Sequence, residues 1–202
     1  KEFKNLSNPD FDAERAIQEI AKMGKIAIIL APDGGVTNAQ ENAIKMIEAN
    51  QNRSWIAATW GLYTENTLKI SAKLPSFDKL FIPVAWHPLT SQNAEFTQLS
   101  QRLWGGDVNA RTALAYDAAR TLIEAIEQQH EPTRQGMHAV MTNPNFKAEG
   151  ATGTIQFDKY GDRVNLPRQL VHIVPCPKSA FSVIFVPIQF ATAEAGGSRN
   201  CN

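Results

Sequence analysis

Most of the usual raw material of catalysis is missing from this sequence. No G-x-S-x-G occurs, so the strained strand-to-helix turn that exposes a nucleophilic serine has no signature here. His87, His130, His138 and His172 stand far apart, and neither an H-x-x-x-H nor a C-x-x-C pair exists to seed a metal site. A G-x-G-x-x-G fingerprint is absent, and no Lys-Ser or Lys-Thr follows the glycines of Pro32-Asp33-Gly34-Gly35-Val36. That stretch keeps two readings, a phosphate-binding loop or a tight turn between strand and helix. An excess of either charge is also missing: 20 Lys and Arg balance 20 Asp and Glu, which gives no support for a nucleic-acid or membrane-surface partner. The longest apolar runs, Ile26 to Ala31 and Phe181 to Pro187, fall far short of the roughly 20 residues needed to span a bilayer. Cysteine is scarce. Cys176 lies between two prolines, the setting of a turn residue, and Cys201 lies in a Gly/Ser/Asn tail; two cysteines permit one bridge without requiring it. The charged opening Lys1-Glu2-Phe3-Lys4 contains no apolar signal-peptide region.

What is present is a core-forming chain. At 202 residues it can bury roughly 70% of its unfolded surface without a disulfide staple. Asp10 or Asp12 can cap a helix with Ala13, Ala16, Ile17, Ile20 and Ala21 on one face, ended by Gly24. Lys25 to Leu30 then reads as a strand buried on both faces. Asn38 with Glu41 has the form of a capping box for a helix through Ala43, Ile44 and Ile47, and Trp55 to Thr59 reads as a second strand buried on both faces. Thr64 opens a third helix, and Leu80 to Val84 forms a third strand, which Pro83 places at or near a sheet edge. This β-α alternation predicts an α/β fold: a doubly wound, mainly parallel sheet with helices on both faces. From Ser91 to Gln129 the period is helical, with Phe96, Leu99 and Leu103 on one helix and Ala110, Ala113, Leu114, Ala118, Thr121, Leu122 and Ala125 on the next, separated by Gly105-Gly106. Short β segments follow at Thr154 to Phe157, Leu170 to Val174 and Phe181 to Ile188.

In open α/β sheets, ligands bind beyond the carboxyl ends of the strands. Asp33 and Gly34 follow the first strand, Trp60, Gly61 and Tyr63 the second, and Trp86 and His87 the third; Arg111 and Thr112 open the long helix, with Tyr116 one turn on. Flat aromatic walls with one acid and one base suit a small zwitterionic or amide-bearing ligand. Each residue also has a purely structural reading. Trp60 and Trp86 suit plugs of the core, Asp33 a turn or cap, His87 a loop, Arg111 a pairing with Asp107 or with a helix-capping carboxylate, and Tyr116 burial under the sheet.

Three segments, taken in order, resemble a known family. These are Asn8-Pro9-Asp10-Phe11 before an amphipathic helix, Ala115-Tyr116-Asp117-Ala118, and Gly150-Ala151-Thr152-Gly153-Thr154-Ile155-Gln156-Phe157-Asp158 with Gly161-Asp162-Arg163. Together they resemble the type I periplasmic binding proteins, the branched-chain amino acid and receptor-type solute-binding proteins. The resemblance implies two α/β lobes joined by crossover strands that close on an amino acid, amide or similar solute, with delivery to the membrane permease of an ABC transporter. It implies no catalytic residue, metal or cofactor, and a periplasmic or extracellular setting, membrane-anchored in some members. It covers the second lobe and closing strands only, without lobe one and without the opening strand and helix of lobe two. The expected organisation is a ligand-binding lobe over residues 1–165, closing strands over 166–190 and a flexible tail over 191–202. The expected ligand contacts are Asp33, Gly34, Trp60, Gly61, Tyr63, Trp86, His87 and Arg111. Amino acid binders of the family often place an acid for the ligand's ammonium on the loop that holds Trp60, Gly61 and Tyr63, and no acid stands there in this sequence. A ligand-sensing module fused to a signalling protein, and a small Rossmann-like nucleotide-using enzyme, are the alternative readings.

Overall fold

The structure, a computed structural model, describes residues 4–24, 27–91, 93–105 and 108–190. Lys25, Ile26, Gly106, Asp107, Cys201 and the expected tail lie outside the described residues. The chain forms two compact units, one of Lys1–Val84 with Leu170–Asn202 and one of Ala85–Gln169. The short C-terminal strands group with the first 84 residues.

In the first unit, α1 (Ala13–Ala21) starts where Asp12 accepts the Arg15 amide, and Gly24 past its end takes a φ of +87°, a conformation in which a Cβ would be strained. β1 (Ala27–Leu30), β2 (Trp55–Ala58) and β3 (Leu80–Val84) alternate with α2 (Thr37–Asn50) and α3 (Glu65–Ser71). β1 and β2 pair in parallel with Ile28 opposite Ile56, and β2 pairs with β3 in parallel with Ile56 opposite Leu80. β6 (Gln169–Pro175) lies beside β3, and β7 (Val183–Pro187) runs antiparallel to β6, giving the order β1-β2-β3-β6-β7. Ala16 and Ile17 of α1, Ala43, Met46 and Ile47 of α2, and Ile28, Leu30, Ile56, Ile82, Val171, Ile173 and Phe185 of the strands share one core.

Three details depart from the sequence reading. β1 and β2 are buried on one face only: Ile28, Leu30, Ile56 and Ala58 enter the core, whereas Ile29 and Trp55 point the other way and are 78% and 52% exposed. A run of apolar letters does not distinguish a strand covered twice from one covered once. β3 is central, not an edge; the β2–β3 register ends at Ala57 opposite Phe81, so Pro83 lies past the part of β3 that pairs with β2. α2 starts at Thr37 with Val36 as its cap and no side-chain cap bond, so its cap lies two residues before the expected Asn38.

The second unit contains α4 (Ala94–Trp104), α5 (Ala110–Glu127), α6 (Arg134–Met141) and the hairpin of β4 (Ala148–Gly150) and β5 (Gly153–Ile155). Asn93, Asn109 and Thr133 cap the three helices with their side chains. α4 ends at Gly105, whose φ of +68° is left-handed. On α4 only Phe96 of the expected apolar stripe is buried, and Leu99 and Leu103 are exposed. On α5 the inward face is Ala110, Ala113, Asp117, Thr121 and Ala125, while Leu114 and Leu122 face outward. Small residues on that face let neighbouring segments approach, and a charged residue sits at its centre.

Candidate functional site

The loops at the carboxyl ends of β1 and β2 follow directly from strand geometry. The Thr59 amide donates to Leu30 O at 2.9 Å, so the two strand ends remain joined where the loops begin. Beyond β1, the Asp33 Oδ1 accepts the Gly35 amide at 2.9 Å, an Asx turn that folds Asp33-Gly34-Gly35 back toward the start of α2. Beyond β2, Trp60–Leu62 form a single 3-10 turn closed by the Leu62 amide on Thr59 O. That turn leaves Trp60 61% exposed while burying Gly61 and Leu62. Tyr63 turns inward: its ring lies 4.6 Å from that of Phe185, and burial pushes its phenol up to about 12. The first unit therefore presents Asp33, Gly34 and Trp60 on loops at one sheet end, with Gly61 and Tyr63 as supports beneath them.

In the second unit, Trp86 is only 2% exposed and packs edge-on against Phe96 at 5.6 Å, with Ala110, Ala113 and Ala151 completing the cluster. Phe96 in turn lies 4.8 Å from Tyr116, which is half-buried there rather than under the sheet. His87 is buried, and its Nδ1 accepts the Leu89 amide at 3.2 Å, fixing the turn Pro88–Thr90. Arg111 is exposed in the first turn of α5; Asp107, its expected partner, lies outside the described residues. Among the described residues no three His, Cys, Asp or Glu side chains gather where they could hold a metal. Cys176 is buried and disulfide-bonded, so no thiolate is available there for nucleophilic chemistry.

Asp117 is the polar residue that a search for ligand contacts passes over. It is 3% exposed on the inward face of α5, and its carboxylate accepts from the amides of Ala151 and Thr152, the Thr152 hydroxyl, and Arg163 Nη1 at 2.8 Å. Gly150 is obligatory beside it, because a Cβ at that position would overlap the Asp117 carboxylate. The signal was present in the sequence: Tyr116-Asp117-Ala118, the Gly150 to Asp158 hairpin and Gly161-Asp162-Arg163 are the segments whose order carried the resemblance, and the structure ties them together through this one side chain.

Neither a protein-family profile nor a curated protein matches the sequence. Solved structures do. A leucine-binding protein, LivK, from Thermotoga maritima matches at 22% identity with a TM-score of 0.64, over 88% of this chain and 48% of that one. The branched-chain amino acid substrate-binding protein LivJ from Streptococcus pneumoniae, in complex with isoleucine, matches at 14% identity and 0.60, over 88% and 50%. A solute-binding protein from R. palustris in complex with benzoate matches at 13% and 0.60, over 89% and 47%. The chain spans about half the length of these proteins. Among the described residues no helix is long and apolar enough to cross a membrane. The α/β fold built here from parallel strands and helices is the periplasmic-binding-protein-like fold of these substrate-binding proteins, matched over about half of their length.

Proposed function

We propose that this chain is part of an extracytoplasmic solute-binding protein that takes up a small polar ligand, an amino acid or amide, for the permease of an ABC transporter. It performs no chemistry on that ligand. The observation that carries this reading is the loop pair at the carboxyl end of the parallel sheet, where Asp33, Gly34 and the exposed Trp60 stand on a fold shared with solute-binding proteins. The Asp33 carboxylate has lone pairs beyond the one that accepts the Gly35 amide, which suits an ammonium or amide N–H. Trp60 supplies a flat wall for an apolar part of the ligand. The other expected contacts, Trp86, His87 and Arg111, belong to the second unit, and Gly61 and Tyr63 hold the Trp60 loop in place.

A thermal-shift panel of amino acids, primary amides, carboxylates and nucleotides tests it. A solute that raises the melting temperature of the chain, with the rise lost in Trp60→Ala and in Asp33→Ala, supports the reading. A rise produced by nucleotides alone would move the assignment to a nucleotide-using protein, and a panel without any rise would remove solute binding by this chain.

A further inference from the structure

The side-chain carbonyl carbon of an Asp or Asn lies within reach of the backbone nitrogen of the next residue, and attack by that nitrogen closes a succinimide ring. Two things ordinarily prevent the closure: a side chain on the next residue crowds the approach, and a helix or strand fixes the backbone away from it. Among the Asp and Asn residues of this chain, only Asp33 is followed by glycine.

The place of Asp33 in the fold removes the second obstacle too. Asp33, Gly34 and Gly35 are all exposed and lie between β1 and α2, outside both elements. The Asp33 carbonyl accepts the Val36 amide at 3.1 Å, and its Oδ1 accepts the Gly35 amide at 2.9 Å. This Asx turn folds the carboxylate back over the backbone of Gly34, the residue whose nitrogen would attack. Nothing packs closely on the turn, since a Cβ at Gly34 would meet only Gln40 Nε2, at 3.8 Å. The same side-chain turn recurs at Asn5, Asn8, Asn143 and Asp158. There Leu6 and Lys159 supply the crowding side chain, and Pro9 and Pro144 have no N–H to give up.

We propose that Asp33 is a site of spontaneous isoaspartate formation. The Gly34 nitrogen attacks Asp33 Cγ, and one carboxylate oxygen departs as water with the amide proton and a proton from solvent. Water then adds to either carbonyl of the succinimide, and the new carboxyl group returns the solvent proton. Breaking the ring bond from nitrogen to Cγ restores Asp. Breaking the bond to the main-chain carbonyl carbon leaves the chain running through Cβ and Cγ, with the free carboxylate on Cα. One water leaves and one returns, so the mass is unchanged and no other reactant is consumed. The main chain gains a methylene at this loop, and the oxygen that accepts the Gly35 amide is no longer a side-chain oxygen, so the present turn is lost. This goes beyond the solute-binding reading and stands without it.

A time series of the whole chain in neutral buffer, digested with trypsin at each point and read against a zero-time digest, tests the proposal. Cleavage after Lys25 and Lys45 releases a peptide in which Asp33 is the only aspartate. A second form of this peptide, equal in mass and separate in elution, is expected to accumulate, preceded by a form one water lighter. It should resist a protease that cleaves before aspartate and accept a methyl group from isoaspartyl methyltransferase. The tryptic peptide that ends at Lys159 and carries Asp158 should stay unchanged over the same interval. Gly34→Val is expected to abolish the second form; the space at Gly34 accommodates a side chain, and a cooperative melt establishes that the variant is folded. A folded chain without the second form would overturn the proposal. So would its appearance at an equal rate in Gly34→Val, or isomerisation at Asp158 before Asp33. No solute enters the measurement, so each of these outcomes leaves the solute-binding reading standing.

Discussion

Asp117 is the residue on which the second unit turns. A carboxylate with almost no solvent contact is tolerable only when its hydrogen bonds are made, and here two amides, a hydroxyl and a guanidinium make them. Removing it leaves Arg163 without its counter-charge and the hairpin amides without acceptors. Asp117→Ala is therefore expected to destabilise the chain by about 3–5 kcal/mol in urea unfolding. Gly150→Ala is expected to cost about 1–3 kcal/mol, because its new methyl would overlap the same carboxylate. These two costs should not add. With the carboxylate gone the main overlap at position 150 is relieved, so the double variant should be less destabilised than the sum of the singles by more than about 0.5 kcal/mol. Strict additivity in the cycle would show that Gly150 is held by something other than Asp117.

At the scale of elements, alternation and length were legible in the sequence, whereas exposure was not. The helix caps at Asp12 and Thr64 and the turns at Gly24 and Gly105 are local devices that their own residues announce, whereas the Asn38 box went unused. Which side of a strand faces the core depends on what packs from elsewhere in the chain, so Ile29 and Trp55 gave no warning that they point outward. The same limit applied to the site: Trp60 and Tyr63, three residues apart and both aromatic, divide into one exposed and one half-buried ring because of a single 3-10 turn. His172 on β6 shows what such placement does to chemistry. Its ring stacks on Phe81, centroids 6.4 Å apart, and its buried Nε2 has no partner. Burial lowers its pKa below 6.5, with Asp78 opposing the shift. With the folded value below the unfolded one, the unfolded chain binds more protons in the interval between them, so stability rises with pH across that window. His172 should therefore leave the fold fully stable above pH 6.5 and erode it as the pH falls from 6.5 through the folded value. Comparison with His172→Phe by chemical denaturation at stepped pH checks this, and parallel profiles for the two proteins would remove the histidine as the cause.

Over the whole molecule, two properties combine to set how copies behave toward each other. The formal net charge is zero, so no long-range repulsion keeps copies apart at neutral pH. At the same time each unit exposes large apolar side chains, Ile29 and Trp55 on the first, Leu103 and Trp104 on the second. Apolar contact is short-ranged and insensitive to screening, whereas association through opposite charges weakens as the Debye length shrinks. The chain is therefore expected to associate increasingly with concentration near pH 7, and raising sodium chloride tenfold should not reverse this. Ile29→Lys with Trp104→Lys removes an exposed apolar side chain from each unit and adds two positive charges, so it should return the sample toward monomer. Both positions are more than half exposed, and surface changes of this kind usually alter folding stability by about 0.5 kcal/mol or less. Sedimentation velocity across a concentration series separates the outcomes. Association that dissolves in high salt would place its origin in charge pairs, and association unchanged in the double lysine variant would place it on surfaces other than these two.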